Sequence, residues 1–264
     1  NSLAEAIREE YPPYKEIGVQ VDNQYRQINT SILQSEAEFY SSIRAKRVPE
    51  PGENFLTCLH RNGVQYVEIR LLDVNPYLPL GIDETEINFL DTFLLYCLLK
   101  NSPEHNHVMC KEVRQNAMGT VNQGRSPELT LTDVGCRKSL QELGNEILSD
   151  MAPHAGILDQ TFNTDRYHTS LTIQQQRIKN PNSTPSGQII SDMEEQGKSF
   201  LNFAMDQTLK HRENFKSRPL RSDELTAFAD IARQSLEDQK NIEDADDKDF
   251  NQYLIDTLAV YQKL

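Results

Sequence analysis

Residues 83–100, DETEINFLDTFLLYCLLK, constrain the fold more than any other stretch of the chain. Asp83 stands where a helix N-cap is needed, and Glu86 three residues on completes the pattern of a capping box. The body that follows is apolar on nearly every side, so a helix here has little polar face to offer to water. The pattern predicts a buried helix packed against a sheet.

Strands to build such a sheet are found upstream. EIGVQV and YRQIN flank Asp22-Asn23-Gln24 as a hairpin, with Ile17, Val19 and Val21 alternating as in a half-buried strand. A second strand, QYVEIRLLDVNP (65–76), ends in a turn by composition at Asp73-Val74-Asn75-Pro76. Residues 2–10 suit a short helix stopped by Pro12-Pro13, residues 31–42 read as helical or irregular, and RVPEPGEN (47–54) as a loop. From residue 134 the strand signal disappears. Three helical patterns dominate there: Ile189 to about Phe215, Leu225 to Leu236, and Phe250 to Tyr261. NPNSTPSG (180–187) reads as a linker, and EDADDKD (243–249) as a solvated loop or helix cap. The expected class is α+β, divided into a strand-bearing part, 1–133, and a helical part, 134–264.

With 264 residues, 37% of them hydrophobic and 25% charged, the chain can bury a real core and reads as globular. The net charge of -13, from 27 basic and 40 acidic residues, argues against a nucleic-acid footprint and leaves no polybasic patch for a membrane. No run of 18 apolar residues exists, and NSLAEAIREE lacks the basic and apolar regions of a signal peptide, so a cytoplasmic protein is expected. Cys58, Cys97, Cys110 and Cys136 are too dispersed for a zinc site and are expected to be reduced, half-buried packing residues. The chain starts at Asn1 without an initiator Met, which suggests a piece of something longer.

The second strand carries the chemistry. Tyr66, Glu68 and Arg70 share one face and Val67, Ile69 and Leu71 the other, so one face should be dry and the other functional or wet. Residues at i and i+2 lie about 7 Å apart along a strand, which predicts that Glu68 and Arg70 each need another partner. Charges on neighbouring strands or water would suffice. A rigidly held carboxylate is also a good magnesium ligand, and an Arg fork beside it matches a phosphoryl group that the same cation neutralises. The pair therefore suggests ATP chemistry with a metal.

INTSILQSEAEFYSSIRAKR (28–47) and GVQYVEIRLLDVNPYLPLGIDETEINFLDTFLLYCLL (63–99) resemble the proteobacterial type of glutamate–cysteine ligase, or gamma-glutamylcysteine synthetase. The likeness continues more thinly through NQGRSPELTL (122–131) and GKSFLNFA (197–204) and covers the C-terminal half of that family. It implies antiparallel strands of a glutamine synthetase-like sheet covered by helices, then a helical C-terminal region. It also implies an ATP- and magnesium-dependent ligase that joins the gamma-carboxylate of L-glutamate to the amine of L-cysteine in glutathione biosynthesis, through a gamma-glutamyl phosphate. Glu68 matches a magnesium ligand of the family, and Arg70 the Arg that faces the transferring phosphoryl group. Tyr40 matches a tyrosine near the cysteine pocket, and Arg44 and Arg47 lie in the matching I-R-x-K-R stretch as substrate-binding candidates. The missing N-terminal half would supply further carboxylate ligands and the glutamate clamp, making the isolated chain catalytically incomplete. A monomer is expected for the full-length protein. The alternatives are another carboxylate–amine ligase of the same superfamily, or a non-catalytic module that binds a nucleotide or partner.

Other residues have plainer readings. The acids of Glu36-Ala37-Glu38 would point apart on a helix, and His105 and His107 sit in a polar stretch without a third ligand nearby. Cys110 and Cys136 flank the GRSPELTL loop and read as thiols, a regulatory bridge being the alternative. Asp73, Asn75 and Arg125 are turn or surface residues first and site candidates second.

Overall fold

The computed structural model describes residues 2–50 and 53–263; Pro51 and Gly52 of the expected RVPEPGEN loop lie outside the described residues. In chain order the elements are α1 (Ser2–Arg8), α2 (Pro12–Ile17), β1 (Gln20–Val21), β2 (Gln24–Tyr25), β3 (Ile43–Lys46), α3 (Phe55–Asn62), β4 (Tyr66–Ile69), α4 (Glu84–Leu99), α5 (His107–Gln123), β5 (Thr130–Asp133), β6 (Cys136–Ser139), α6 (Leu140–Phe162), α7 (Arg166–Lys179), α8 (Pro185–Gln196), α9 (Phe200–Lys216), α10 (Ser222–Ala245) and α11 (Phe250–Tyr261). The class is α+β, as expected. Among the described residues the strands pair as three two-stranded antiparallel ribbons: β1–β2, β3–β4 and β5–β6. No helix among them is long and apolar enough to cross a membrane.

The chain forms two compact units, Asn1–Leu72 with Leu220–Leu264, and Asp73–Pro219. This division follows contacts. The sequence division at 133/134 instead marks where a strand-bearing stretch was expected to give way to helices.

In the first unit, Ile7, Leu56 and Tyr261 form a small core joined by Leu3, Leu33, Phe55 and Leu258. The expected first hairpin is present but shorter. Ile17 ends α2, Gly18 takes a positive φ of 75°, and only Gln20–Val21 pairs with Gln24–Tyr25. Asp22 and Asn23 both adopt positive φ, as a two-residue turn requires. Pro12, expected to stop a helix, also starts one, since its missing N–H costs nothing at a helix start. Asp249, in the acidic run, caps α11 by accepting from Asn251 and Gln252 N–H. On α10, Leu225, Phe228, Ile231 and Leu236 are all exposed.

The second unit is built on α4, α6 and α7. Tyr96, Leu148, Met151, Ala155, Tyr167 and Leu171 make its core, and Met151 and Ala155 are fully buried. The apolar helix α4 packs against α6 and α7, not a sheet, and it is not buried all round: Ile87, Leu94 and Leu98 form an exposed stripe. Asp83 caps it by accepting from Glu86 N–H at 2.9 Å, which is half of the expected box. Strands do not stop at residue 134 either, because β6 follows a turn at Val134-Gly135, where φ is 48° and 81°. Ser139 and Glu142 then form a reciprocal capping box that opens α6. Asp159 of α6 begins α7 by accepting from Tyr167 N–H, His168 N–H and His168 Nδ1. Burial raises the Asp159 pKa, but these hydrogen bonds outweigh it and hold the carboxyl below its ordinary value. The pattern expected from Ile189 to Phe215 is two helices, parted at Gly197 in the left-handed conformation.

Candidate active site

The site residues gather on the β3–β4 ribbon. Its register sets Arg44 opposite Glu68 and Lys46 opposite Tyr66, and Arg70 N–H donates to Ser42 C=O at 2.7 Å. Directly opposed residues share a face, and side chains alternate along each strand. Ser42, Arg44, Lys46, Tyr66, Glu68 and Arg70 therefore line one face, and Ile43, Ala45, Val67 and Ile69 the other. The apolar face is not dry, because Ile43 and Val67 are about half exposed and Leu71, just beyond the strand, more so.

Glu68 and Arg70 satisfy each other, against the expectation from their spacing. Arg70 Nε and Nη2 both reach Glu68 Oε1, at 2.9 and 2.7 Å. About 7 Å separates the backbone positions, but two long side chains leaning together close that gap. The second oxygen, Oε2, is buried and has no hydrogen-bond partner among the described residues. Lys46 Nζ lies 3.5 Å from it, beyond the 2.7–2.9 Å of a good charge-assisted bond. The Arg70 hydrogen bond, opposed by partial burial and helped by the charges of Arg70 and Lys46, holds the Glu68 carboxyl below its ordinary pKa.

Tyr40 is largely exposed, and the Arg70 guanidinium lies 5.4 Å from its ring centroid, a cation–π contact. Arg44 is buried, and its guanidinium donates to Glu36 C=O at 3.3 Å. Arg47 is not brought to this cluster. Its Nε and Nη2 donate to Gly63 and Asn62 C=O at 2.6 and 2.7 Å, closing the C-terminal end of α3. Ser42 and Lys46 join the face without a motif of their own to mark them, although alternation through SIRAK places them with Arg44.

The lesser candidates take structural places. Asn75 Oδ1 accepts from Tyr77 N–H, making a turn of the segment after β4. Glu36 accepts from the Tyr261 hydroxyl and Glu38 from Gln34 N–H. His105, His107 and Arg125 are exposed. Cys58 is buried, whereas Cys97, Cys110 and Cys136 are exposed free thiols instead of half-buried packing residues.

A buried anionic oxygen without a hydrogen bond is a fitting ligand for a hard cation, and Glu68 Oε2 is one. No group of three or more metal-ligating side chains occurs among the described residues, so Glu68 fits as one ligand of a set and not as a site in itself. One face of β4 thus carries a carboxylate and an Arg fork, with the ring of Tyr40, from the segment before β3, against the Arg.

Comparison with known proteins narrows the class. A family described as glutamate-cysteine ligase matches residues 1–119. The glutamate–cysteine ligase of Pseudomonas fluorescens is 41% identical over 96% of this chain and 48% of its own length, and that of Pseudomonas aeruginosa 40% identical over 99% and 49%. The crystal structure of a Francisella tularensis glutamate–cysteine ligase in complex with AMP superposes with a TM-score of 0.89 at 28% identity, over 99% of this chain and 52% of that one. The chain belongs to the glutamate–cysteine ligase family. It spans about half the length of the curated relatives it matches.

Proposed function

We propose that this chain is the C-terminal portion of an ATP- and magnesium-dependent ligase that joins the gamma-carboxylate of L-glutamate to the amine of L-cysteine through a gamma-glutamyl phosphate. The observation that supports it most is the buried Glu68 Oε2, which has no hydrogen bond among the described residues and only the Lys46 ammonium at 3.5 Å, beside the Arg70 fork. In this reading Glu68 is one of several magnesium ligands, the others coming from the N-terminal half of the same protein. Magnesium, when bound, supplies charge neutralisation for the ATP phosphates. Arg70 swings its fork from Glu68 onto the oxygens of the transferring phosphoryl group and holds the charge that develops there. Tyr40 orients Arg70 from the ring side and flanks the place of the cysteine substrate. Arg44, opposite Glu68, sets the field on this face, and Arg47 serves by anchoring the corner between β3 and α3. The 1–133 division would then be the end of the catalytic domain and 134–264 its helical extension, in a cytoplasmic, monomeric whole.

ATP-, glutamate- and cysteine-dependent phosphate release tests the reading. Turnover is expected from the full-length protein and none from the 264-residue chain. Sustained turnover by this chain alone at the full-length rate would overturn it.

A further inference from the structure

Within the unit Asp73–Pro219 there is a cleft of about 510 Å³ that no part of the ligase reading uses. Phe89 and Phe93 of α4, Ile147 and Leu148 of α6, Ile178 of α7 and Pro181 supply apolar walls. Phe89 and Phe93 present parallel rings, 6.1 Å between centroids and 12° between planes. Protein interiors leave few voids larger than a water molecule, whereas pockets for small ligands run from about 300 to 1,000 Å³ and are mostly apolar with a few placed polar groups.

Two polar side chains supply that second component. Gln174 and Arg177 lie three residues apart on α7, so they share a face, and both line the cleft. Arg177 is half-buried, and its one side-chain hydrogen bond among the described residues runs from Nη1 to the neutral Gln174 Oε1 at 3.2 Å. Glu86 of α4 feels the Arg177 charge but does not come within ion-pair distance of it. The cleft therefore joins apolar walls to a guanidinium that has no carboxylate within ion-pair distance among the described residues. A neutral apolar ligand leaves that charge uncompensated, and a cationic one is repelled by it.

We propose that this cleft binds a small monocarboxylate with a compact apolar tail, aromatic or of medium chain length. The tail lies against Phe89, Phe93 and Ile147, and the carboxylate takes the free donors of the Arg177 fork.

The test uses octanoate, octanol and octylammonium as probes, titrated calorimetrically into the protein, its Arg177→Gln variant and its Ile147→Trp variant. Saturable octanoate binding is expected, weakened about tenfold or more in Arg177→Gln, as loss of a charged hydrogen bond implies, while octanol binding stays the same. Octylammonium should bind at least tenfold more weakly than octanoate, and Ile147→Trp should weaken octanoate and octanol binding together by crowding the wall against which the tail lies. If that variant fails to fold, Arg177→Gln decides the question. Absence of saturable octanoate binding up to a few millimolar, equal octanoate affinity in Arg177→Gln, or octylammonium binding as tightly as octanoate would each overturn the proposal.

Discussion

The two oxygens of Glu68 have different tasks: Oε1 takes both contacts from Arg70, and Oε2 is buried beside a Lys46 that stands too far off to bond it well. In the full-length protein Glu68→Gln should keep the fold and weaken magnesium dependence and activity, because an amide fills the same space without the charge. A wild-type metal titration in that variant would remove Glu68 from the site. Arg70→Lys keeps the charge and loses the fork, so kcat should fall about 10²-fold or more with little change in KM for glutamate or cysteine. Unaltered kcat with a shifted Tm would leave Arg70 as an ion-pair partner only. The lowered Glu68 pKa has a sign that can be checked. A carboxyl depressed below 4.5 in the folded state contributes its full stability above that pH and loses it as pH falls through the lower folded value. The stability difference between the protein and Glu68→Gln, from urea unfolding, should thus be flat from neutral pH down to about 4.5 and shrink below it. Alternation made the shared face of Glu68 and Arg70 legible in the sequence. Their direct pairing was not, since backbone spacing says nothing about where long side chains lean, and neither was the docking of Arg47 on α3, which depends on a helix end 15 residues away.

Among the elements, the β5–β6 turn shows how a signal is hidden. Val134 holds a φ of 48°, a region that a β-branched side chain avoids, ahead of Gly135 at 81°. Asn-Gly would announce such a turn, but Val-Gly does not, and β6 went unread, whereas Asp22-Asn23 announced the first hairpin. Val134→Asn should accordingly stabilise the protein by about 1 kcal/mol, measured by chemical denaturation; destabilisation would mean that the Val side chain packs better than its exposure indicates. Helices α6 and α7 were missed for another reason. Pro153 and Gly144 stand inside the first as breaker signals, and polar residues fill much of the second, although these helices carry the core. Met151, fully buried on α6, gives the check: Met151→Ala should cost about 2–5 kcal/mol. The existence of α4 was plain from its composition, but its neighbours were not, because an apolar surface does not say whether helices or strands cover it.

At the scale of the whole molecule, the class was readable from strand-like and helix-like segments, and the family from a few motifs. The division into units was not, because α10 and α11 return to the start of the chain, and only contacts at such long sequence separation reveal it. The β3–β4 ribbon has consequences beyond the reaction. Two strands are marginal in water by themselves, and this pair leaves Ile43, Val67 and its backbone edges uncovered, while α10 shows an apolar stripe as well. What opposes sticking is the net charge of -13, a repulsion between copies that reaches about 30 Å at 0.01 M salt and only about 3 Å at 1 M. Colloidally, the isolated chain should behave as a charge-stabilised particle. Light scattering is expected to report single molecules at low ionic strength and growing assemblies as salt is added, and a deletion of β3–β4 that keeps the unit Asp73–Pro219 folded should delay that growth.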